Sequence, residues 1–233
     1  MDVLLTSTAE AFRLLFSGNP EIWEIVGISF RVSSMAILAA VPPALVIAFT
    51  LAYGSFPGRR FLISLFNTFL SVPAVVIGLT LFIILSRQGP MGDFKLLFTQ
   101  TAMGLGQFFL CLPILVCMAH VSLQAADRAA WETARTLGAN RLRAFFTVLY
   151  EIRFGLTAAL LAGYGRIISE VGASMMLGGN IAHYTRNIPT AIALETSKGA
   201  FAEGIALGIV LLFLAFVLNS LLQYVQGKGS INP

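Results

Sequence analysis

Five runs of apolar residues, each long enough to cross a lipid bilayer, dominate the chain: Ile25 to Tyr53, Phe61 to Leu85, Thr101 to Val121, Phe154 to Leu177 and Ile205 to Val225. A spanning helix needs about 20 consecutive apolar residues, and the first run is long enough to tilt or to protrude. A water-soluble helix needs only one buried stripe. Here hydrophobic residues fill 57% of 233 positions and charged ones only 11%, where a soluble domain carries roughly a quarter charged residues. The expected fold class is an all-α integral membrane protein of about five transmembrane helices.

The residues ahead of the first run behave differently. Leu4, Leu5, Thr8, Phe12, Leu15 and Phe16 follow helical spacing, while Asp2, Glu10 and Arg13 interrupt them. This pattern predicts an N-terminal amphipathic helix lying on the membrane surface over residues 1–20 rather than a sixth span. It lacks the basic start of a cleaved signal peptide. Residues 21–227 then form the transmembrane domain, 122–153 its long polar loop, and 228–233 a tail.

Orientation follows the distribution of Lys and Arg between the two sets of loops. Arg59, Arg60, Arg128, Arg135, Arg141, Arg143, Arg153 and Lys228 fall on one side, against Arg13, Arg87, Lys95, Arg186 and Lys198 on the other. The bias places the N-terminus outside, and the 122–153 loop and the C-terminus in the cytoplasm. The net charge of +4 is scattered and has no aromatic interleaving, so nucleic acid is not expected as a partner. Cys111 and Cys117 lie six residues apart in one run, on different helix faces, which excludes a mutual disulfide. Pro42, Pro43, Pro73 and Pro113 lie inside apolar runs, where neighbouring helices can satisfy the freed carbonyls; they suit either ordinary bundle packing or hinges. No internal repeat supports the inverted-repeat plan of many secondary transporters.

The 122–153 loop is amphipathic. Trp131, Ala134, Gly138, Leu142, Phe145, Phe146 and Leu149 recur every three or four residues, with Arg135, Arg141, Arg143 and Thr147 largely elsewhere. Gly138 splits the pattern into two short helices joined by a turn. The apolar face needs a cover, either the membrane surface or a groove in a protein partner. The order Glu132-Thr133-Ala134, three residues, then Gly138-Ala139 resembles the EAA loop of ATP-binding-cassette (ABC) importer permeases. The resemblance implies a coupling helix seated in a cleft of a cytoplasmic ATPase, with Glu132, Thr133, Ala134, Gly138, Ala139 and Arg141 as its coupling residues. Two departures stand out: Thr133 replaces the family's usual alanine, and Tyr150-Glu151 replace the Leu-Pro that usually closes the motif.

The fourth run carries two charges. Arg166 and Glu170 are four residues apart and can pair along one helix face, with Ala158, Ala162 and Ser174 aligned on it. At the bilayer centre each charge would cost roughly 2.5–3.5 kcal/mol, so this face is expected to look inward. The pair fits a structural ion pair, or a translocation path or gate formed by Arg166, Ser169, Glu170 and Ser174 in which the arginine attracts an anion. Gly204 and Gly208 give a GxxxG spacing that can mark a helix contact.

The run Gly165-Arg166-Ile167-Ile168-Ser169-Glu170-Val171-Gly172-Ala173-Ser174-Met175-Met176-Leu177-Gly178-Gly179-Asn180-Ile181 resembles the tungstate-transport permeases. Ala52-Tyr53-Gly54-Ser55-Phe56-Pro57-Gly58-Arg59-Arg60 and Ile192-Ala193-Leu194-Glu195-Thr196 extend the likeness over nearly the whole chain; molybdate and sulfate permeases are more distant relatives. The resemblance implies the type I ABC importer permease bundle, working as a homodimer with two ATPase subunits and an extracytoplasmic oxyanion-binding protein in the cytoplasmic membrane of a prokaryote. Affinity for the anion is then expected mainly in the binding protein.

The chain has no Walker A phosphate loop, since Gly227-Lys228-Gly229-Ser230 lacks the upstream glycine. ATP hydrolysis therefore falls to another polypeptide, and no catalytic residue, cofactor or metal site is expected; His120 and His183 lie apart, without a matching cysteine or acidic cluster. The competing readings are a stand-alone channel or secondary transporter using Arg166 and Glu170 as an ion relay, and a membrane scaffold.

Overall fold

The computed structural model describes residues 8–9, 11–13, 16–126 and 128–229. Half of the amphipathic surface segment, including Leu4, Leu5 and Leu15, lies outside the described residues, as does the end of the tail. From Pro20 onward the described residues form ten α-helices and one short 3-10 turn.

Helix α1, Pro20–Tyr53, is the longest at 34 residues. Asn19 caps it by accepting the Glu21 N–H at 3.0 Å, and Pro20 occupies its first position, where a missing N–H costs nothing. Pro42 and Pro43 lie inside it without ending it. Its far end is closed by Arg59, whose guanidinium donates to the Leu51 and Ala52 carbonyls, groups with no partner inside the helix.

The second apolar run is not one straight crossing. It folds as α2, Arg59–Phe69, and α3, Ala74–Leu85, bent by 101° at the intervening break. Pro73 stands at the start of α3, where its ring cannot donate a backbone hydrogen bond and disfavours helical geometry in the residue before it. Helix α4, Gln100–Ala125, crosses unbroken through Pro113. The polar loop forms α5, Arg128–Thr136, and α6, Arg141–Glu151. Helix α7, Arg153–Ile168, leaves α6 at 73°.

The fourth run also departs from the single helix expected over 154–177. Helix α7 stops at Ile168, and α8, Gly172–Gly178, is a separate short helix. Helix α9, Ile188–Lys198, opens on a capping box between Asn187 and Thr190, and α10, Phe201–Gly229, closes the bundle. Among the described residues three helices are long and apolar enough to cross a membrane, or up to five crossings if each bent pair counts as one.

Helix α4 is central, packing against α1, α2, α3, α7 and α8. Its Leu110, Cys111, Leu115 and Val116 join Ala36, Ile37, Ala40 and Ala44 of α1, Ala159 and Ile167 of α7, and Ala173 of α8 in the main core. Small residues let these helices approach closely. A Cβ on Gly78 would lie 2.9 Å from the Ala173 Cα, so α3 and α8 touch almost backbone to backbone. Of the GxxxG pair, Gly204 faces Thr196 and Ile192 of α9, and Gly208 has nothing among the described residues within 4 Å of where a Cβ would stand.

Candidate functional site

Two regions carry the residues singled out by sequence. The first is the α5–α6 hairpin. Gly138 adopts φ +86°, which an L side chain resists. The turn is closed by Ala139 N–H on the Ala134 carbonyl at 3.0 Å and Gly138 N–H on the Arg135 carbonyl at 3.2 Å, the paired bonds of a Schellman motif. Arg135 adds a bond from Nη1 to the Ala139 carbonyl at 2.9 Å, and Asn140 caps α6 by accepting the Arg143 N–H at 2.8 Å. Every bond here is local, so the hairpin is a preformed corner.

The apolar face of this hairpin divides. Trp131 sits with its ring centroid 5.2 Å from Phe49 and 5.6 Å from Tyr53, and Phe145 meets Phe49 edge-on at 4.9 Å. Trp131 and Phe145 are therefore spent on the end of α1 and do not await a partner, contrary to the single uncovered face read from periodicity. Leu137, 83% exposed, stands at the corner itself. Ala130, Thr133, Ala134, Leu137, Ala139 and Thr147 line a shallow apolar hollow, while Glu132 and Arg141 border a cleft with Phe49, Thr50, Tyr53, Gly54 and Trp131. Tyr150-Glu151 complete α6, and the bend into α7 is made at Ile152 without proline.

The second region is the α7–α8 break. Arg166 Nη1 donates to Glu170 Oε2 at 2.7 Å, and Glu170 Oε1 accepts the Gly172 N–H at 2.9 Å. The carboxylate thus joins the last turn of α7 to the first residue of α8. Its side chain is 9% exposed, whereas that of Arg166 is 44% exposed. Ser169, also exposed, turns its hydroxyl back to the Gly165 and Arg166 carbonyls. Ser174 is buried in α8, and its hydroxyl has no hydrogen-bond partner among the described residues. The continuous face from Ala158 to Ser174 does not form, because three residues, Ser169 to Val171, separate α7 from α8. Beside the break, Leu161, Ala162, Gly165, Ile168 and Ser169 face Leu211, Ala215, Leu218, Asn219 and Leu222 of α10 across a cavity of about 240 Å³.

Sequence reasoning overlooked Arg31. It lies inside α1, exposed, and makes no ion pair among the described residues. A charge count that covers the ends of each apolar run as well as the loops would have found it. Near the start of α1, His183 Nδ1 meets Glu24 Oε2 at 2.7 Å and Arg186 reaches Glu21 at 3.5 Å, tying the 179–187 loop to that helix. The hydrogen bond to Glu24, and then its charge, raise the His183 pKa above 6.5. No group of three or more His, Cys, Asp or Glu side chains able to hold a metal occurs among the described residues.

An all-helical bundle of single and bent spans carrying a helical hairpin against the ends of α1 and α4 is the fold of ABC importer permeases. The chain superposes on the methionine ABC transporter MetNI, in an inward-facing structure, with a TM-score of 0.63 at 16% identity over 88% of this chain and 94% of that one. No family model matches the chain. In sequence it is 37% identical to the tungstate uptake system permease protein TupB of Campylobacter jejuni over 94% of this chain and 92% of that protein. It is 38% identical to a probable anion ABC transporter permease protein of Haloferax volcanii over 84% of this chain and 87% of that protein. The chain belongs to this family of ABC transporter permeases.

Proposed function

We propose that this chain is the membrane-spanning, non-catalytic subunit of an ATP-driven importer of a small oxyanion, with tungstate the substrate. The observation that carries the anion reading is the half-exposed Arg166 held in place by a buried carboxylate. A guanidinium left facing lipid is costly, so its exposed side suits a water-filled path or a second copy of the chain. Its planar fork of donors matches the oxygens of a tetrahedral oxyanion. Glu170 offsets the charge of the arginine, which favours passage over tight capture, since a path must release what it attracts. Ser169 and Ser174 belong to the same proposed path or gate. The choice of tungstate rests on the relatives' names, and molybdate or sulfate are its nearest alternatives.

The working assembly on this reading is a homodimer in the lipid bilayer of the cytoplasmic membrane, with two ATPase subunits and an extracytoplasmic binding protein. The N-terminus lies outside and the α5–α6 hairpin inside. Glu132, Thr133, Ala134, Gly138, Ala139 and Arg141 present the corner to the ATPase. Displacement of that corner acts on two elements at once. Trp131 and Phe145 push on the end of α1, and α6 runs directly into α7, where Arg166 stands thirteen residues, or about 20 Å, further along.

The reading is tested on the partner binding protein. Calorimetric titration with tungstate, molybdate and sulfate should rank tungstate tightest; tightest binding of sulfate would overturn the substrate. Failure of the chain to retain a co-expressed ATPase would overturn the importer reading itself.

A further inference from the structure

Helix α6 has an outer face that the hairpin's docking corner does not include. Leu142, Phe146 and Tyr150, one turn apart along the helix, are 63%, 59% and 68% exposed. On the opposite side Ala144 and Val148 are fully buried. Val148 packs with Ala48 and Ala52 of α1 and Ala119 and Leu123 of α4. Those four residues belong to the last turns of two membrane-crossing helices. Helix α6 therefore lies beside the spans, level with their ends, and its free face points sideways, away from the bundle. The 73° bend into α7 lays it across the direction of that span.

The charges suit an anionic surface. Arg143 flanks the stripe next to Tyr150 on the helical wheel. The Arg153 guanidinium stacks 4.4 Å from the Tyr150 ring and 4.6 Å from the Phe154 ring, and donates one bond, to the Tyr150 carbonyl. Its other N–H donors have no hydrogen-bond partner among the described residues. Long cationic side chains over an apolar stripe, joined to a membrane span, are the pattern of a helix lying in the interface.

We propose that α6 is an interfacial helix whose Leu142–Phe146–Tyr150 stripe is immersed in the adjoining lipid leaflet while Arg143 and Arg153 bind anionic phospholipid headgroups. Leu137, at the corner, stays in water until the ATPase binds. The hairpin then serves two partners with two faces: the corner meets protein and α6 floats on lipid, giving the corner a fulcrum. The inference needs only that the chain crosses a membrane, and stands apart from the choice of substrate.

The experiment places a spin label at Phe146→Cys, and separately at Tyr150→Cys and Leu137→Cys, with Cys117→Ser removing the more accessible native thiol. The purified chain is held in nanodiscs of phosphatidylethanolamine and phosphatidylglycerol without ATPase. Labels at 146 and 150 should collide more with dissolved oxygen than with a water-soluble nickel chelate, and the label at 137 should show the reverse. Preference of 146 and 150 for the nickel chelate would overturn the proposal, as would protection that appears only when ATPase is added, which would make the stripe a protein-docking face. In native mass spectrometry, Arg143→Gln with Arg153→Gln should lose retained phosphatidylglycerol while keeping phosphatidylethanolamine. Unchanged retention would overturn the headgroup contact.

Discussion

Glu170 is shared between Arg166 and the backbone of Gly172: one carboxylate oxygen accepts from the guanidinium at 2.7 Å, the other from the amide at 2.9 Å. The ion pair and the break between α7 and α8 are one construction. The two partners should therefore fail differently. Glu170→Ala removes the acceptor of a partly buried amide and should destabilise the permease by about 1 kcal/mol, seen as a lower thermal midpoint in detergent. Arg166→Ala removes the more exposed partner and should cost transport first, at least about tenfold, the factor produced by roughly 1.4 kcal/mol at a barrier. If Arg166→Ala transports normally while losing stability, the pair is structural alone.

Gly138 holds φ +86° at the corner of the hairpin. Gly138→Val forces a β-branched residue into that conformation at a cost of about 1–2 kcal/mol or more, and the Schellman bonds to Ala134 and Arg135 should open. The expected outcome is weaker retention of the ATPase in pull-down, with the membrane bundle still folded. Full retention would show that the corner is not the docking element.

Trp131 is the part of the loop that grips α1. Trp131→Ala should destabilise by about 3 kcal/mol, the lower end for removing so large a ring because Trp131 is only partly buried. It should also let the ATPase hydrolyse ATP without matching transport. The ratio of ATP consumed to anion moved in proteoliposomes measures this, and an unchanged ratio would argue against α1 as a transmitting element.

His183 offers a pH test. Its pairing with Glu24 raises its pKa above 6.5, so the folded state holds the proton more tightly than the unfolded one. The stabilisation is fully present below about pH 6.5 and disappears as pH rises through the raised value. Wild-type should melt above His183→Gln near about pH 5.5, and the two should coincide near about pH 8.5. The side chain is exposed, so the difference should be small and should shrink with added salt. A larger difference at the higher pH would reverse the sign and refute the assignment.

The spans were legible because lipid demands long apolar runs, and hydropathy reports that demand directly. Their breaks were not. Proline occurs in the first, second and third runs, yet only Pro73 accompanies a sharp bend; Pro42, Pro43 and Pro113 sit inside continuous helices. Whether a proline bends a helix depends on neighbours that can take over the freed carbonyls, and sequence spacing does not name them. The end of α7 at Ile168 was hidden for a related reason, since Glu170 replaces helical bonding with a side-chain bond to Gly172. Gly138 was readable as a turn because its chemistry is local. The grip of Phe49 on Trp131 was invisible, being a contact between residues far apart in the chain. Arg31 was visible and overlooked.

The central claim is ATP-driven movement of an oxyanion through this chain, and uptake of isotopically labelled tungstate into proteoliposomes tests it most directly. With the chain, its ATPase, the binding protein and internal ATP, tungstate should accumulate above its external concentration, and omission of any one should abolish accumulation. Tungstate equilibrating through vesicles that contain the chain alone would contradict the account, as would a complete assembly that hydrolyses ATP and moves none.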